Sequence, residues 1–178
     1  MIEKYKFIIL PPDGYQTTMF DRFVEARHYI QTVFDVAIKI GVPKENILVK
    51  YRTAHQKNNF PTDQKSIVGY GSLLDYCSTN TIVIGGPGSG MVECLTNEIR
   101  YFLYWNFRLY QHNRFLSATS LSKLIETFYI ATSVKELHDN ILHNKIFKPN
   151  FSNKNLLHND AQTLAQIVVQ ILNYSALE

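Results

Sequence analysis

The stretch "TIVIGGPGSGMVECLTNEI", Thr81 to Ile99, runs from an apolar, β-branched segment through a knot of glycines, with one proline and one serine, into an amphipathic segment that begins at the serine. That is the order of a buried strand, a tight turn and a helix. Valine and isoleucine suit the pleated surface, glycine and proline interrupt it, and serine is a residue type that caps helices. The spacing predicts a strand over "TIVIGG" and a helix from Ser89 to Glu98. "RYFLYW", from Arg100, follows as the next strand, so the segment forms one β-α-β unit, and a crossover of this kind joins parallel strands.

Upstream, "YKFIILPPDG" reads as a buried strand ended by two prolines and an Asp-Gly turn. Thr18 is the N-cap candidate for a long helix in which Phe20, Phe23, Val24, Ala26, Ile30, Val33, Phe34, Ala37 and Ile38 share a face. Gly41 and Pro43 end it. "NILVKY" is a second strand, "QKNNFPTDQ" a polar loop, "SIVGY" a short third strand and "SLLDYCS" a brief helix. The order β-α-β-(β)-α-β-α-β makes the fold class α/β, with a mostly parallel sheet and helices on both faces. Further on, "SLSKLIETF" and "SVKELHDNIL" are helical and separated by "YIA". Ser133 and Glu136 form a capping box for the second. A polar loop from Asn144 to His158 leads to a last helix, capped by Asn159 with Gln162, whose stripe is Leu164, Ile167, Val168, Ile171 and Leu172.

With 178 residues, 46% of them apolar and 13% aromatic, the chain suits one domain, residues 1–176. Leu177-Glu178 reads as a cloning-site scar. Eighteen basic residues against fifteen acidic ones give a net charge of +3, spread without blocks, so no nucleic-acid partner is expected. Two cysteines, Cys77 and Cys94, lack metal-ligand or disulfide-framework spacing and point to a reducing, cytoplasmic setting. No segment reaches the about 18 apolar residues of a membrane span, so no transmembrane segment is expected. His138 and His143 do not share a helix face, and neither a metal nor an organic cofactor is expected.

Three glycine motifs compete for "GGPGSGMVE", and spacing removes each. A Walker A loop needs a lysine, and none lies between Lys65 and Lys123. A dinucleotide fingerprint counted from Gly86 and Gly88 puts Met91 where the third glycine belongs. A nucleophile elbow around Ser89 finds Pro87 and Met91 at its two glycine positions. What remains is a glycine turn that brings backbone close to a ligand, followed by the N–H groups of a helix start, which favour phosphate or diphosphate. The plainer alternative is a turn whose glycines supply positive φ and whose serine only caps. From the end of "NILVKY" onward runs a basic cluster of Lys50, Arg52, His55 and Lys57 on the same sheet edge, and Lys50 or Arg52 suits phosphate pairing.

The succession of strand, long helix, "NILVKYR", polar loop, "SIVGYGSLLDYCSTNTIVIGGPGSGMVECLTNEIRYFLYW" and "YIATSVKELHDNI" resembles the carboxy-terminal, nucleotide-sugar-binding half of a GT-B glycosyltransferase of the surface or capsular polysaccharide type. The resemblance implies a Rossmann-like three-layer α/β/α domain. It also implies that Gly88, Ser89 and Gly90 hold the diphosphate of a nucleotide-diphosphate sugar, with Glu93 on the ribose; Gly86 of the same turn and, on charge grounds, Lys50 and Arg52 are further substrate-binding candidates. Two departures stand out: "TNEIRY" lacks the glycine and proline that the family puts after its acid, and "KYRTAH" has arginine where the family often has histidine. The family's enzymes have a second, amino-terminal Rossmann-like domain across the cleft, so the resemblance implies such a partner domain and no transfer activity without it. A sugar-nucleotide epimerase-like domain and a noncatalytic binding or interaction module are the alternatives.

Overall fold

The computed structural model describes residues 4–11, 21–59, 61–69, 71–86, 89–104 and 129–146. Thr18, Asp13, Gly14, Gly88, Trp105, the "SLSKLIETF" helix and the last helix lie outside the described residues.

Strands β1 (Tyr5–Ile9), β2 (Ile47–Tyr51), β3 (Ser66–Val68), β4 (Cys77–Gly85) and β5 (Arg100–Leu103) form one sheet in the order β3-β2-β1-β4-β5. Every pairing is parallel. Phe7 is level with Ile47 on one side and Ile82 on the other, and Ile82 with Arg100 beyond it. A parallel bridge between Tyr104 and Ala131 adds the "YIA" segment beside β5. This is a Rossmann-like α/β fold.

The central strands are apolar without interruption because both faces of the sheet are covered. One face carries Phe7, Ile9, Ile47, Val49, Ile84 and Phe102 against helix α1 (Asp21–Lys39) and helix α4 (Val134–Leu142). The other carries Ile8, Leu48, Val83, Tyr101 and Leu103 against helix α3 (Ser89–Thr96) and a 3₁₀ turn over Leu73–Tyr76. Alternation along each strand thus assigns neighbours to opposite layers, giving the three-layer arrangement. Among the described residues no helix is long and apolar enough to cross a membrane.

Helix α1 buries Ile30, Val33, Phe34 and Ala37 as their spacing predicts, and also Tyr29 and Val36. Ile38, expected on that face, is exposed, since it lies about 100° of rotation past Ala37. The helix stops where the sequence says: Gly41 has φ +87°, with Gly41 N–H donating to Ile38 O and Val42 N–H to Ala37 O, a Schellman motif. In α4, Ser133 Oγ accepts from Glu136 N–H, and the Glu136 carboxylate accepts from the N–H and hydroxyl of Thr132. The capping box therefore forms, shifted by one residue on its return arm.

Three elements differ from expectation. The polar loop after β2 begins as a short helix, α2 (Ala54–Asn59). Strand β4 starts at Cys77 rather than Thr81, because Thr81 Oγ1 accepts from Ser78 N–H at 2.7 Å and donates to Tyr5 O at 2.6 Å, bridging a register shift between Tyr5 and Phe7. Helix α3 ends at Thr96, short of Glu98, which has φ +57° and closes the helix as its left-handed residue. Ile99 N–H donates to Cys94 O and Glu98 N–H to Leu95 O across that end.

Candidate functional site at the carboxyl edge of the sheet

In an open parallel sheet the ligand crevice lies outside the carboxyl ends of the strands, where the direction of winding reverses. Here the chain leaves β1 toward β2 and leaves β4 toward β5, so the reversal falls between β1 and β4. The two chain segments at that point are Leu10-Pro11 and the turn that starts at Gly85. They are locked in step: Leu10 N–H donates to Ile84 O at 2.8 Å, and Tyr104 N–H to Gly85 O at 3.0 Å.

Gly85 and Gly90 act through packing. Gly85, Gly86 and Gly90 all lack positive φ, so the plainer account of the turn fails for these three. A Cβ at Gly85 would collide with the Tyr101 hydroxyl and stand 3.1 Å from Leu10 Cβ, and one at Gly90 would come within 2.7 Å of Leu10 Cδ1. The Tyr101 hydroxyl occupies that space because it donates to Gly86 O at 2.7 Å. A Cβ at Gly86 meets nothing within 4 Å: the backbone there borders open space. Helix α3 begins at Ser89, whose side chain, like all of Gly88, lies outside the described residues.

One turn into α3, Glu93 is half-buried and held by hydrogen bonds. Its Oε1 accepts from Ser72 Oγ at 2.5 Å and from Leu73 N–H at 2.9 Å, while Ser72 Oγ itself accepts from Leu74 N–H. Glu93 therefore fastens α3 to the start of the 3₁₀ turn. Lys50 reaches the same neighbourhood from the end of β2, donating from Nζ to Gly69 O at 3.0 Å. Burial lowers its pKa below the ordinary 10.5, and the negative charges of Glu93 and Asp75 oppose that shift. Of the expected site residues, then, Gly86, Gly90, Glu93 and Lys50 gather on the side of the sheet that α3 covers.

Arg52 lies just past β2, exposed, and its N–H donates to Gln56 Oε1 at 2.8 Å. His55 is exposed on α2, and Lys57 is half-buried there. Gln56 itself is buried, and its Nε2 donates to Pro11 O at 3.0 Å, 45 residues away in sequence. Sequence reading passed over Gln56, because one amide within "HQKNN" has the composition of a solvated loop. It also passed over Tyr101, whose hydroxyl is hidden inside an aromatic strand.

The chain matches no protein-family model, and no curated protein is significantly similar to it.

Proposed function

We propose that this domain binds a nucleotide-diphosphate sugar and serves as the donor-binding half of a glycosyltransferase of surface polysaccharide synthesis. The observation that carries the reading is the turn between β4 and α3. It stands at the reversal point of the sheet, presents the open backbone of Gly86, and leads directly into the N-terminus of α3. Backbone N–H groups at a helix start, with the helix dipole, attract phosphate. Lys50 and Arg52, at the end of β2, add positive charge on the same edge of the sheet. Glu93 stays in the reading as the ribose-binding group only through its Oε2, since Oε1 is committed to Ser72 and Leu73.

Chemistry in such a domain is positioning and stabilisation of a departing diphosphate by fixed amides and cations. The acceptor and any catalytic base belong to a partner domain, and the reading assigns no catalytic residue to this chain. An epimerase-like domain would use the same diphosphate cradle, and a binding module would keep the cradle without turnover.

Titration of the domain with uridine, guanosine, cytidine and adenosine diphosphates, followed by amide NMR shifts, tests the reading. Binding in the micromolar to millimolar range is expected, about 4–8 kcal/mol. Shifts are expected from Gly86 to Val92 and near Lys50. Ser89→Ala is expected to cost about 0.5–3 kcal/mol of binding. Gly88→Val is expected to abolish binding while the chain stays folded. Neutralising Lys50 and Arg52 together is expected to weaken binding and flatten its dependence on salt. Shifts that gather elsewhere, or a folded Gly88→Val that binds like the parent, would reduce the glycines to a turn.

A further inference from the structure

We infer that Gln56 is a positioning residue that holds the basic turn after β2 against the chain leaving β1, one side of the crevice, an assignment that rests on the diphosphate reading of this edge. Its side chain is 5% exposed and joins the two chain segments that leave β1 and β2. Oε1 accepts from Arg52 N–H at 2.8 Å, and Nε2 donates to Pro11 O at 3.0 Å. Thr53 Oγ1 accepts from the Gln56 N–H at 3.1 Å and anchors the first turn of α2, so the carboxamide projects from a fixed base.

The pair of contacts needs one donor and one acceptor on a single side chain, and the two partners decide which end is which. A backbone N–H can only donate and a carbonyl can only accept, so the orientation of the amide is forced. A glutamate of the same length keeps the bond from Arg52 but, when ionised, turns a second anionic oxygen toward Pro11 O. Methionine keeps the length and loses both bonds. In a buried site either loss leaves backbone groups without partners.

What lifts Gln56 above a filler of the core is where its two partners stand. Pro11 lies two residues past the end of β1, which borders the reversal point, immediately after Leu10, which packs against Gly85 and Gly90 of the phosphate turn. Arg52 is a basic residue of the same edge. A tether between them therefore holds the basic turn after β2 against the β1 end, and with that the placement of Arg52 relative to a ligand on the α3 turn.

The test uses Gln56→Glu and Gln56→Met, with the nucleoside diphosphate that the parent binds most tightly among the four above. Affinity is read as the ratio of variant to parent at each pH, which cancels titration of the ligand and of every group the two proteins share. At about pH 8 Gln56→Glu is expected to bind about tenfold more weakly, the size of one lost hydrogen bond, and Gln56→Met at least as weakly. Lowering the pH to about 5 protonates the introduced carboxyl, whose pKa burial and the Pro11 carbonyl raise, and the new O–H restores the bond to Pro11 O. The ratio for Gln56→Glu is then expected to return to within about threefold, while Gln56→Met stays weak. A Gln56→Glu variant that binds like the parent at pH 8, shows no recovery, or has lost its circular-dichroism signature there overturns the assignment, the last by making Gln56 a residue of the fold as a whole. If the parent binds none of the four ligands, the diphosphate reading fails. The tether is then decided separately, by whether the Arg52 and Leu10 amide shifts of Gln56→Glu return to parent values as the pH falls.

Discussion

Gly85 and Tyr101 show how one side chain can make a glycine obligatory without any unusual φ. The phenol hydroxyl crosses the turn to reach Gly86 O, and in doing so fills the space that a Cβ at Gly85 would take. Gly85→Ala is therefore expected to destabilise the fold by about 1–3 kcal/mol through overpacking. Tyr101→Phe, which removes one hydrogen bond, is expected to cost about 0.5–1.5 kcal/mol. The two losses share a cause, so the double variant is expected to be more stable than their sum predicts, by about 1 kcal/mol. It does not recover fully, because Leu10 Cβ still stands 3.1 Å from the added methyl. Urea unfolding of the four proteins measures the coupling, and additive costs would mean that the hydroxyl and the Cβ do not compete. At this scale sequence reading found that glycines crowd the turn and missed why. Periodicity shows that Tyr101 is a strand residue facing inward, but not that its hydroxyl meets a carbonyl fifteen positions earlier.

At the scale of elements, boundaries marked by local chemistry were legible and boundaries set by distant partners were not. Gly41 ends α1 as a glycine in the left-handed region, and Ser133 caps α4, both readable from a few adjacent residues. The start of β4 depends on Thr81 meeting Tyr5, far off in sequence, and so escaped the pattern. Helix α2 escaped because "AHQKNN" has no apolar stripe and, among its described side chains, the buried one is an amide. The end of α3 is the instructive case. The stretch after Glu93 offers no glycine, and Glu98 takes the left-handed position instead. A residue with a Cβ pays about 1–2 kcal/mol in that region. Glu98→Gly is accordingly expected to stabilise the protein by about 0.5–1 kcal/mol, less than the full strain because glycine also loosens the unfolded chain. A rise in the urea midpoint with an unchanged slope checks this. A fall in the midpoint would show that the Glu98 side chain does more than occupy the turn.

For the whole molecule, the alternation of strand and helix made a parallel α/β sheet legible, whereas the order β3-β2-β1-β4-β5 is a nonlocal outcome that places β1 in the middle. That order leaves both sheet faces buried and, with them, weak acids that keep their protons to a higher pH while the chain is folded. Burial raises the Cys77 thiol from 9.0 to about 11 and the Cys94 thiol further still, both on the α3 face. On the α1 face it raises Tyr51 from 10.0 to about 12, and Tyr104 moves in the same direction. The sign follows from proton linkage. Above pH 9 the unfolded chain releases thiol protons that the folded chain still holds, so alkali favours unfolding. The stabilisation is fully present below the unfolded values and is lost as the pH climbs through the folded ones. Lys50 works the other way, since its lowered pKa makes folding easier as the pH approaches 10.5, but it is one half-buried amine against two thiols and two phenols. The urea midpoint is therefore expected to be level from pH 7 to 8 and to fall above pH 9, each unfolded thiol contributing about 1 kcal/mol per pH unit. Replacing Cys77 and Cys94 with alanine lowers stability at pH 7 by opening space in the core, yet it removes two of the groups that drive the alkaline loss. The double variant is expected to lose stability less steeply than the parent between pH 9 and 11. Equal slopes for the two proteins would place the alkaline transition on the tyrosines and leave the thiols as packing alone.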